Sequence, residues 1–249
     1  MTTAILSALV EEQQGLLQLL VNPERVRRGG RSYWRGELQG RNVVLALSRI
    51  GKVAAATTAT ALIEVFGVQR IVFTGVAGGV GAGVQVGDVV VASAFVQHDM
   101  DSSPLFPRYQ IPQYGRASFD CDPALTALLL EATHEGLTRA RGEFHENNLY
   151  QNPGVHQGLI ASGDRFVSGA AELQVLQNGL LAAGYAPLAV EMEGAAVAQV
   201  CFDYGVPFAA VRTISDRADD QAHVDFPTFV KEVASRYALA IVQNLMPML

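Results

Sequence analysis

The chain has 249 residues and a formal net charge of −6, with 49% hydrophobic and 17% charged residue types. Such a chain can bury a large core, so we expect a globular protein folded as a single domain over residues 1–249. An acidic balance without a Lys/Arg run argues against nucleic acid or an anionic membrane surface as a partner. No basic leader and no apolar run near the ~20 residues that span a bilayer are present, so we expect a cytoplasmic protein.

In chain order, short β-rich runs alternate with longer helical patterns. The predicted strands are 3–9, 32–38, 42–47, 71–75, 86–96, 157–163, 187–191 and 206–215. The predicted helices are 11–20, 53–66, a segment after DCDPAL, a segment from Met192 or Glu193, and about 226–245. The polar stretch from Gly142 to Gly158 is typical of a surface loop.

This alternation predicts a largely parallel sheet with helices on both faces. In such a sheet, ligands bind beyond the carboxyl ends of the strands. Acidic residues follow three predicted strands, at positions Glu11, Glu12, Glu191, Glu193 and Asp216. These positions are therefore the first candidates for a functional site.

Each of these acids, taken alone, has a structural explanation. Glu is favoured at helix N-termini, and Asp after a strand often caps the next helix. Three such places together favour a functional interpretation, because convergent carboxylates can serve as general acid, general base and hydroxyl-binding group.

The cysteines and histidines give no indication of a metal or redox site. Cys121 and Cys201 lie far apart and outside any CxxC pattern, so we expect buried, unreactive thiols. The histidines form neither HExxH nor a pair at i, i+4 spacing. We therefore expect no metal ion and no cofactor.

The glycine-rich segment TGVAGGVGAGVQVGD is only a weak indication of a phosphate site. It contains neither the P-loop pattern nor GxGxxG. Close approach of the backbone to a ligand, or simple turn geometry, explains the glycines equally well. The chain also lacks the GxSxG elbow of serine hydrolases.

Segments spread over nearly the whole chain carry a family resemblance. They are SALVEEQ, SRIGKVAAA, TGVAGGV, VGDVVVA, HDMD, SGDRF, AVEMEGAAVAQVC and AVRTISDRAD. Together they resemble the 5'-methylthioadenosine/S-adenosylhomocysteine nucleosidases of the purine nucleoside phosphorylase superfamily. VEMEG followed by RTISDRAD is specific to the superfamily, and the EE pair after the first strand points to the nucleosidase branch. The resemblance implies one three-layer α/β/α domain with a mixed, barrel-like central sheet, assembled as a homodimer.

The resemblance assigns the chemistry to three acids. Glu12 would activate the attacking water, Asp216 would protonate the purine at N7, and Glu193 would hold the ribose hydroxyls. Breaking an N-glycosidic bond builds positive charge on the sugar and negative charge on the departing purine, so acids at both ends help. The implied reaction hydrolyses 5'-methylthioadenosine, S-adenosylhomocysteine or both, releasing adenine and the 5-thio-substituted ribose.

The resemblance also places residues around the base and sugar. Met192 would pack beneath the sugar, Phe166 would stack on the adenine, and the Val167 backbone would hydrogen-bond the adenine edge. The structural alternatives are core filling for Met192 and a packed loop aromatic for Phe166. Within these motifs we prefer the functional interpretation of both.

Three further residues would support this arrangement from the same wall. The resemblance implies that Ser215 orients Asp216, and that Arg212 and Glu191 line the cavity beside it. Glu191 is expected to support Glu193 rather than to contact the sugar.

The pocket for the 5' substituent would be apolar, as suits a thioether. The resemblance implies that Leu9, Ile50 and Phe226 form it, with Ser102 to Phe106 contributed by the neighbouring subunit. Val76 departs from the family, since familiar members often carry TGSAGG where this chain has TGVAGG. The segment SSPLFPRYQIPQYG lacks a clear counterpart as well, so futalosine-type nucleosides are the nearest alternative substrates.

The expected nucleophile is water, although a phosphate-dependent phosphorylase is a further alternative. Phosphorylases of the superfamily hold phosphate with a glycine/arginine loop after strand one and with an arginine and a serine in the segment that reads IVFTGVAGG here. This chain has LVEEQ in the first place and the apolar pair Phe73 and Val76 in the second. Arg49 could still reach a phosphate, but a solvated surface charge is its preferred interpretation.

A non-catalytic nucleoside-binding protein is the alternative from another class. Binding would need Phe166, Met192 and Glu193 but could dispense with Glu12 and Asp216. Because the chain retains both acids, the sequence favours an enzyme.

Overall fold

The computed structural model describes residues 1–140, 153–219 and 229–249. Its strands are β1 Thr3–Ser7, β2 Val21–Arg28, β3 Arg31–Leu38, β4 Arg41–Leu47, β5 Arg70–Gly79, β6 Val89–Gln97, β7 Ser118–Asp120, β8 Val155–Ser162, β9 Ala189–Glu191 and β10 Phe208–Asp216. Its α-helices are α1 Val10–Gln18, α2 Lys52–Glu64, α3 Pro123–Ala140, α4 Ala170–Ala182, α5 Gly194–Tyr204 and α6 Ser235–Met248, with a π-helical turn, Val230–Ala234, directly before α6.

Within the described residues, all the strands belong to one mixed sheet. Its order is β10-β6-β8-β9-β5-β1-β4-β3-β2, and β10 also pairs with β5, so the first five strands close into a ring. Parallel pairs such as β1–β5 and β6–β8 stand beside antiparallel pairs such as β5–β9 and β10–β6. The mixed, barrel-like sheet implied by the resemblance is confirmed, and the largely parallel sheet inferred from the alternation alone is wrong.

Helices cover both faces of the sheet. Because successive strand residues point to opposite sides, neighbouring residues of β1 belong to different apolar clusters. Ala4 and Leu6 of β1 belong to an apolar cluster that also contains residues of α2 and α5. Ile5, between them, belongs to a second cluster with residues of α1, α3 and α6. Each fully buried Leu or Ile contributes roughly 1.5–3 kcal/mol to these two cores.

The predicted strands are all present, with ends shifted by a few residues. The first strand ends at Ser7 rather than at residue 9, and the helix predicted from Met192 or Glu193 begins at Gly194. The last helix extends to Met248. None of the helices within the described ranges combines the length and apolar character needed to cross a membrane.

Three elements escaped prediction. Strand β2 is a charged edge strand with Pro23 in it and pairs only with β3, so it lacks the alternation of a half-buried strand. Strand β7 has three residues, and helix α4 fully buries only Leu180, which leaves little amphipathic pattern.

The surface loop predicted for Gly142 to Gly158 is only partly testable. Residues 142–152 lie outside the described residues. The part from Val155 to Gly158 is wrong, because it forms the first half of β8 and pairs in parallel with β6. The polar residues His156 and Gln157 obscured this strand in the sequence.

Candidate active site

A cavity of about 330 Å³ lies where β1, β4, β5, β9 and β10 reach their carboxyl ends. Within the described ranges, every residue that the resemblance assigns to this chain's own cavity lines it. These are Leu9, Glu12, Ile50, Val76, Phe166, Val167, Glu191, Met192, Glu193, Arg212, Ser215 and Asp216. Glu11, a candidate from its place after a predicted strand, is exposed and does not line the cavity. Phe226, predicted for the 5' pocket, lies outside the described residues.

Glu12 lies in the first turn of α1 and is buried. Its Oε2 accepts hydrogen bonds from the backbone N–H groups of Ala8 and Leu9, each at 2.9 Å, and its Oε1 accepts one from Val76 at 3.2 Å. Burial raises the pKa of Glu12, and this outweighs the lowering effects of the Leu9 N–H and the Arg212 charge. A carboxylate with a raised pKa is a better base for taking a proton from water near neutral pH.

Asp216 ends β10 and is also buried. Its Oδ2 accepts a hydrogen bond from the Ser215 hydroxyl at 2.7 Å, and its Oδ1 accepts one from the Ala218 N–H at 2.8 Å. The register of β10 against β5 shifts between Ile214 and Asp216, which makes Ser215 the extra residue of a bulge. The bulge and these two donors fix the orientation of the Asp216 carboxyl group.

Two glycines of β5 give these acids room. A Cβ built on Gly75 would lie 3.2 Å from Glu12 Oε1. A Cβ built on Gly78 would lie 2.9 Å from both Asp216 Oδ1 and the Ala218 Cβ. Gly75 and Gly78 of TGVAGG therefore permit close approach of the protein's own side chains to the strand, an explanation that differs from the ligand contact and the turn geometry considered from the sequence.

Glu193 caps α5 and is buried at the cavity wall. Its Oε1 accepts a hydrogen bond from the Gly51 N–H at 2.8 Å. Burial, and next the charge of Glu191, hold the pKa of Glu193 well above its ordinary value. Because hydrogen bonds from hydroxyls favour the ionised form of a carboxyl group, a bound diol would help Glu193 to ionise.

Glu191, two residues before Glu193, is bound by groups of the protein itself. Both of its oxygens accept hydrogen bonds from the Gly194 N–H at 2.9 Å, and its Oε1 accepts one from the Ser162 hydroxyl. Its Oε2 forms a buried ion pair with Arg212 at 2.7 Å. Glu191 therefore anchors the first turn of α5, as its predicted supporting role requires.

The Arg212 guanidinium is likewise held by protein groups. Besides Glu191, its Nη1 donates to the carbonyl oxygens of Phe73 and Val211 at 3.1 and 3.2 Å. The group also lies 4.1 Å from the centroid of the Phe73 ring. This arrangement leaves Arg212 a structural cation with little capacity for an added anion.

The apolar side chains that line the cavity differ in their exposure to solvent. Val167 is buried, whereas Phe166 and Ile50 are 44% and 57% exposed. Leu9 and Met192 are half-buried at the cavity wall. The exposed aromatic and aliphatic side chains border the cavity and are available to contact a ligand.

Two arginines near the cavity differ in their position relative to its lining, and the first of them was not predicted from the sequence. Arg165 also lines the cavity and pairs with Glu172 at 2.8 Å. Its place beside Phe166 in SGDRF was the available indication. Arg49 is exposed, donates to the Gly30 carbonyl oxygen at 2.6 Å, and is not part of the lining.

Within the described residues, neither the cysteines nor the side chains able to bind a metal ion form a further site. Cys121 and Cys201 are buried and unpaired, as predicted, and burial raises the pKa of Cys121 to about 12. Among residues 1–140, 153–219 and 229–249, no group of three or more His, Cys, Asp or Glu side chains could hold a metal ion.

The fold and the cavity define a class of protein. Residues 2–246 match the family model of the phosphorylase superfamily, and the chain belongs to this family. The resemblance seen in the sequence motifs is therefore confirmed.

Within the family, the chain is similar to nucleosidases. It is 36% identical over 238 residues to the 5'-methylthioadenosine/S-adenosylhomocysteine nucleosidase of Actinobacillus succinogenes, covering 95% of this chain and 94% of that one. It is 35% identical over 236 residues to an aminodeoxyfutalosine nucleosidase of Helicobacter pylori, covering 94% and 93%. The structure of the Neisseria meningitidis 5'-methylthioadenosine/S-adenosylhomocysteine nucleosidase with methylthio-immucillin-A superimposes with a TM-score of 0.86 at 34% identity, covering 100% and 99%.

Proposed function

We propose that this protein hydrolyses the N-glycosidic bond of 5'-methylthioadenosine, S-adenosylhomocysteine or both, releasing adenine and the 5-thio-substituted ribose. The observation that carries the proposal is the convergence of Glu12, Glu193 and Asp216 on one cavity. The relatives that are 5'-methylthioadenosine/S-adenosylhomocysteine nucleosidases, matched over nearly their full length, support it.

At the base end, the cavity suits an adenine leaving group. Asp216 would donate a proton to N7 as negative charge develops on the purine, and Ser215 holds the carboxyl group for this transfer. Phe166 would stack on the ring, and the Val167 backbone would hydrogen-bond its edge. General acid catalysis of this kind is typically worth about 10²–10⁴-fold in rate.

At the sugar end, the two remaining acids would divide the work. Glu193 would hold the ribose hydroxyls above Met192, while Glu12 would take a proton from the attacking water. The carboxylates would also stabilise the positive charge that develops on the sugar ring. Glu191 would act only through Glu193 and Arg212, to which its hydrogen bonds already connect it.

Water is the nucleophile that the cavity favours over phosphate. The lining positions Phe73 and Val76 offer an anion neither charge nor a hydroxyl, and the Arg212 guanidinium is engaged by Glu191 and carbonyl oxygens. A phosphate dianion beside buried Glu12 would also meet like-charge repulsion in a poorly solvated site.

A futalosine-type nucleoside is the second candidate substrate. The Helicobacter pylori aminodeoxyfutalosine nucleosidase is as similar to this chain as the methylthioadenosine relatives are. Such substrates differ at the 5' substituent, where exposed Ile50 leaves the cavity accessible.

Incubation with a panel of 5'-substituted adenosines, inosine and futalosine, followed by chromatography of the products, tests the proposal. We expect adenine release from the thio-substituted members. Preferential cleavage of futalosine-type members would select the second candidate, and binding without any cleavage would select a nucleoside-binding protein.

The active form is proposed to be a homodimer in which Ser102 to Phe106 completes the partner's cavity. Leu105 is 83% exposed in the single chain, and this segment does not line the cavity of its own chain among the described residues. Burial of such apolar side chains between subunits would stabilise a dimer. Sedimentation that found a fully active monomer would contradict this.

We also propose that the chain folds as one domain. A single domain over residues 1–249 is supported by one sheet that contains all the described strands and by the family match over residues 2–246. The cytoplasmic location stays a prediction from the sequence.

A further inference from the structure

A polar network joins two cavity-lining loops through residues that do not themselves line the cavity. We propose that Lys52, Asp99 and Asp164 are positioning residues of this active site, which fix the loop carrying Ile50 and Gly51 against the loop carrying Phe166. The inference rests on the proposed function for its kinetic part only, since its structural part can be measured without a substrate.

The network closes into a ring of hydrogen bonds. Lys52 Nζ donates to Asp99 Oδ1 and, at 3.0 Å, to Gln97 Oε1. Asp99 Oδ2 accepts the backbone N–H of Asp164 at 2.9 Å, and Asp164 Oδ1 accepts the backbone N–H of Lys52 at 2.7 Å. Each of the three residues therefore contacts the other two.

The sheet brings these residues together. Strands β6 and β8 are parallel neighbours, with Gln97 opposite Ser162, so Asp99 and Asp164 follow adjacent strand ends. Lys52 is the first residue of α2, and its N–H is one of the donors that a helix N-terminus leaves without an intrahelical partner. Asp164 supplies that missing acceptor from another element of the fold.

The loop carrying Ile50 and Gly51 is hydrogen-bonded to the proposed substrate-binding residue Glu193. The Gly51 N–H donates to Glu193, while the next N–H, that of Lys52, donates to Asp164. Gly51 has φ of 96°, and a Cβ built on it would lie 3.2 Å from Asp164 Oδ1, so the loop is closely fitted there. Asp164 thus fixes the peptide group beside the one that holds the Glu193 carboxyl.

The second loop reaches the cavity directly. Asp164 precedes Arg165, Phe166 and Val167, all of which line the cavity. With both its N–H and its carboxylate bound, Asp164 sets where this loop leaves β8. The Lys52 and Asp99 side chains are only 16% and 24% exposed, which limits screening of their ion pair by solvent.

Asp164→Ala removes the acceptor for the Lys52 N–H, and Asp164→Asn retains it through its amide oxygen. We expect Asp164→Ala to raise KM by about 10-fold, since misplacement of binding groups by 1 Å can cost about 10²-fold. Because Glu12 and Asp216, the proposed base and acid, keep hydrogen bonds that do not involve these loops, kcat should change by less than about 3-fold. Asp164→Asn should have a KM close to that of the wild type. Lys52→Met should raise KM about as much as Asp164→Ala does.

Asp120→Ala is the matched control, because Asp120 is an exposed aspartate with a long ion pair to Arg116 at 3.6 Å. It should leave KM unchanged. An unchanged KM in Asp164→Ala, or an equal loss in Asp164→Asn and Asp164→Ala, would overturn the proposal.

Hydrogen exchange measured by mass spectrometry separates this proposal from the proposed function. Asp164→Ala should speed exchange in peptides covering residues 48–54 and 163–168, with no change around β1 and with a normal unfolding midpoint. Unchanged exchange in both loops would refute the positioning role even in an active enzyme. A wild-type protein that releases no adenine would refute the proposed function, while the exchange result would still decide the inference.

Discussion

Two regions of the cavity wall carry buried acids, and the fold treats them differently. On one side, the Glu191 carboxylate is bound by an arginine, a serine hydroxyl and backbone N–H groups. Across the cavity, the hydrogen-bond donors to Glu12 among the described residues are backbone N–H groups, and burial raises the pKa of Glu12. The paired carboxylate of Glu191 therefore supports the structure, whereas the raised pKa of Glu12 fits the general base that we propose.

The largest expected effect comes from the acid at the end of β10. Asp216→Asn preserves the shape and the acceptor oxygen for the Ala218 N–H, and its NH2 group can donate to the Ser215 hydroxyl, but it removes the proton for the leaving purine. We expect kcat to fall by about 10²–10⁴-fold with an unchanged unfolding midpoint, measured by adenine release and thermal denaturation. Asp120→Asn, at an exposed position, should leave both unaffected. A near-normal kcat in Asp216→Asn would remove Asp216 from the chemistry.

The ion pair between Arg212 and Glu191 predicts an effect on stability. Arg212→Met leaves Glu191 buried without its cation, which typically costs about 3–5 kcal/mol. Urea unfolding monitored by circular dichroism should show this loss. A loss below about 1 kcal/mol would mean that Arg212 is not the structural cation inferred from its contacts.

Glu193 predicts an effect on stability that depends on pH and is smaller over any single pH unit. Because burial raises the pKa of Glu193 from its ordinary value of 4.5, the native state keeps a proton that the unfolded state releases, so stability falls as the pH rises above that value. Glu193→Gln removes this contribution and keeps an acceptor for the Gly51 N–H. The variant should gain on the wild type between about pH 5 and about pH 8, by at most ~1.4 kcal/mol per pH unit.

Urea unfolding of both proteins at the two pH values measures this gain. A difference that stays constant with pH would show that Glu193 titrates normally. The same experiment on Glu11→Gln is a control, because Glu11 is an exposed glutamate in α1.

The position of three acids at the cavity could be predicted from the residues themselves, whereas the closure of the sheet was implied only by the family resemblance. Glu12, Glu193 and Asp216 could be predicted because they follow β-rich runs and lie in family motifs. The pairing of β10 with β5, which converts an open sheet into a ring, joins distant segments and leaves no local pattern. The hydrogen bonds that distinguish Glu191 from Glu193 come from Arg212, Ser162 and Gly51, whose proximity only the fold determines.

Other elements were missed because their burial is slight. Strand β2 is almost wholly exposed, so charge rather than alternation dominates its sequence. Helix α4 buries little of its apolar content within the single chain, and Val175 in it is 70% exposed. Hydrophobic periodicity predicts elements that pack against a core, and these two pack only weakly.

The most direct test is the dependence of adenine release on inorganic phosphate, with the sugar product identified by mass spectrometry. Water is favoured as the nucleophile by three features of the cavity. Arg212 is already bound by protein groups, Phe73 and Val76 are apolar, and Glu12 is buried. We therefore expect 5'-methylthioadenosine to release adenine at the same rate with and without phosphate, leaving free 5-methylthioribose. Strict dependence on phosphate, or recovery of a ribose 1-phosphate, would contradict hydrolysis and place the protein among the phosphorylases.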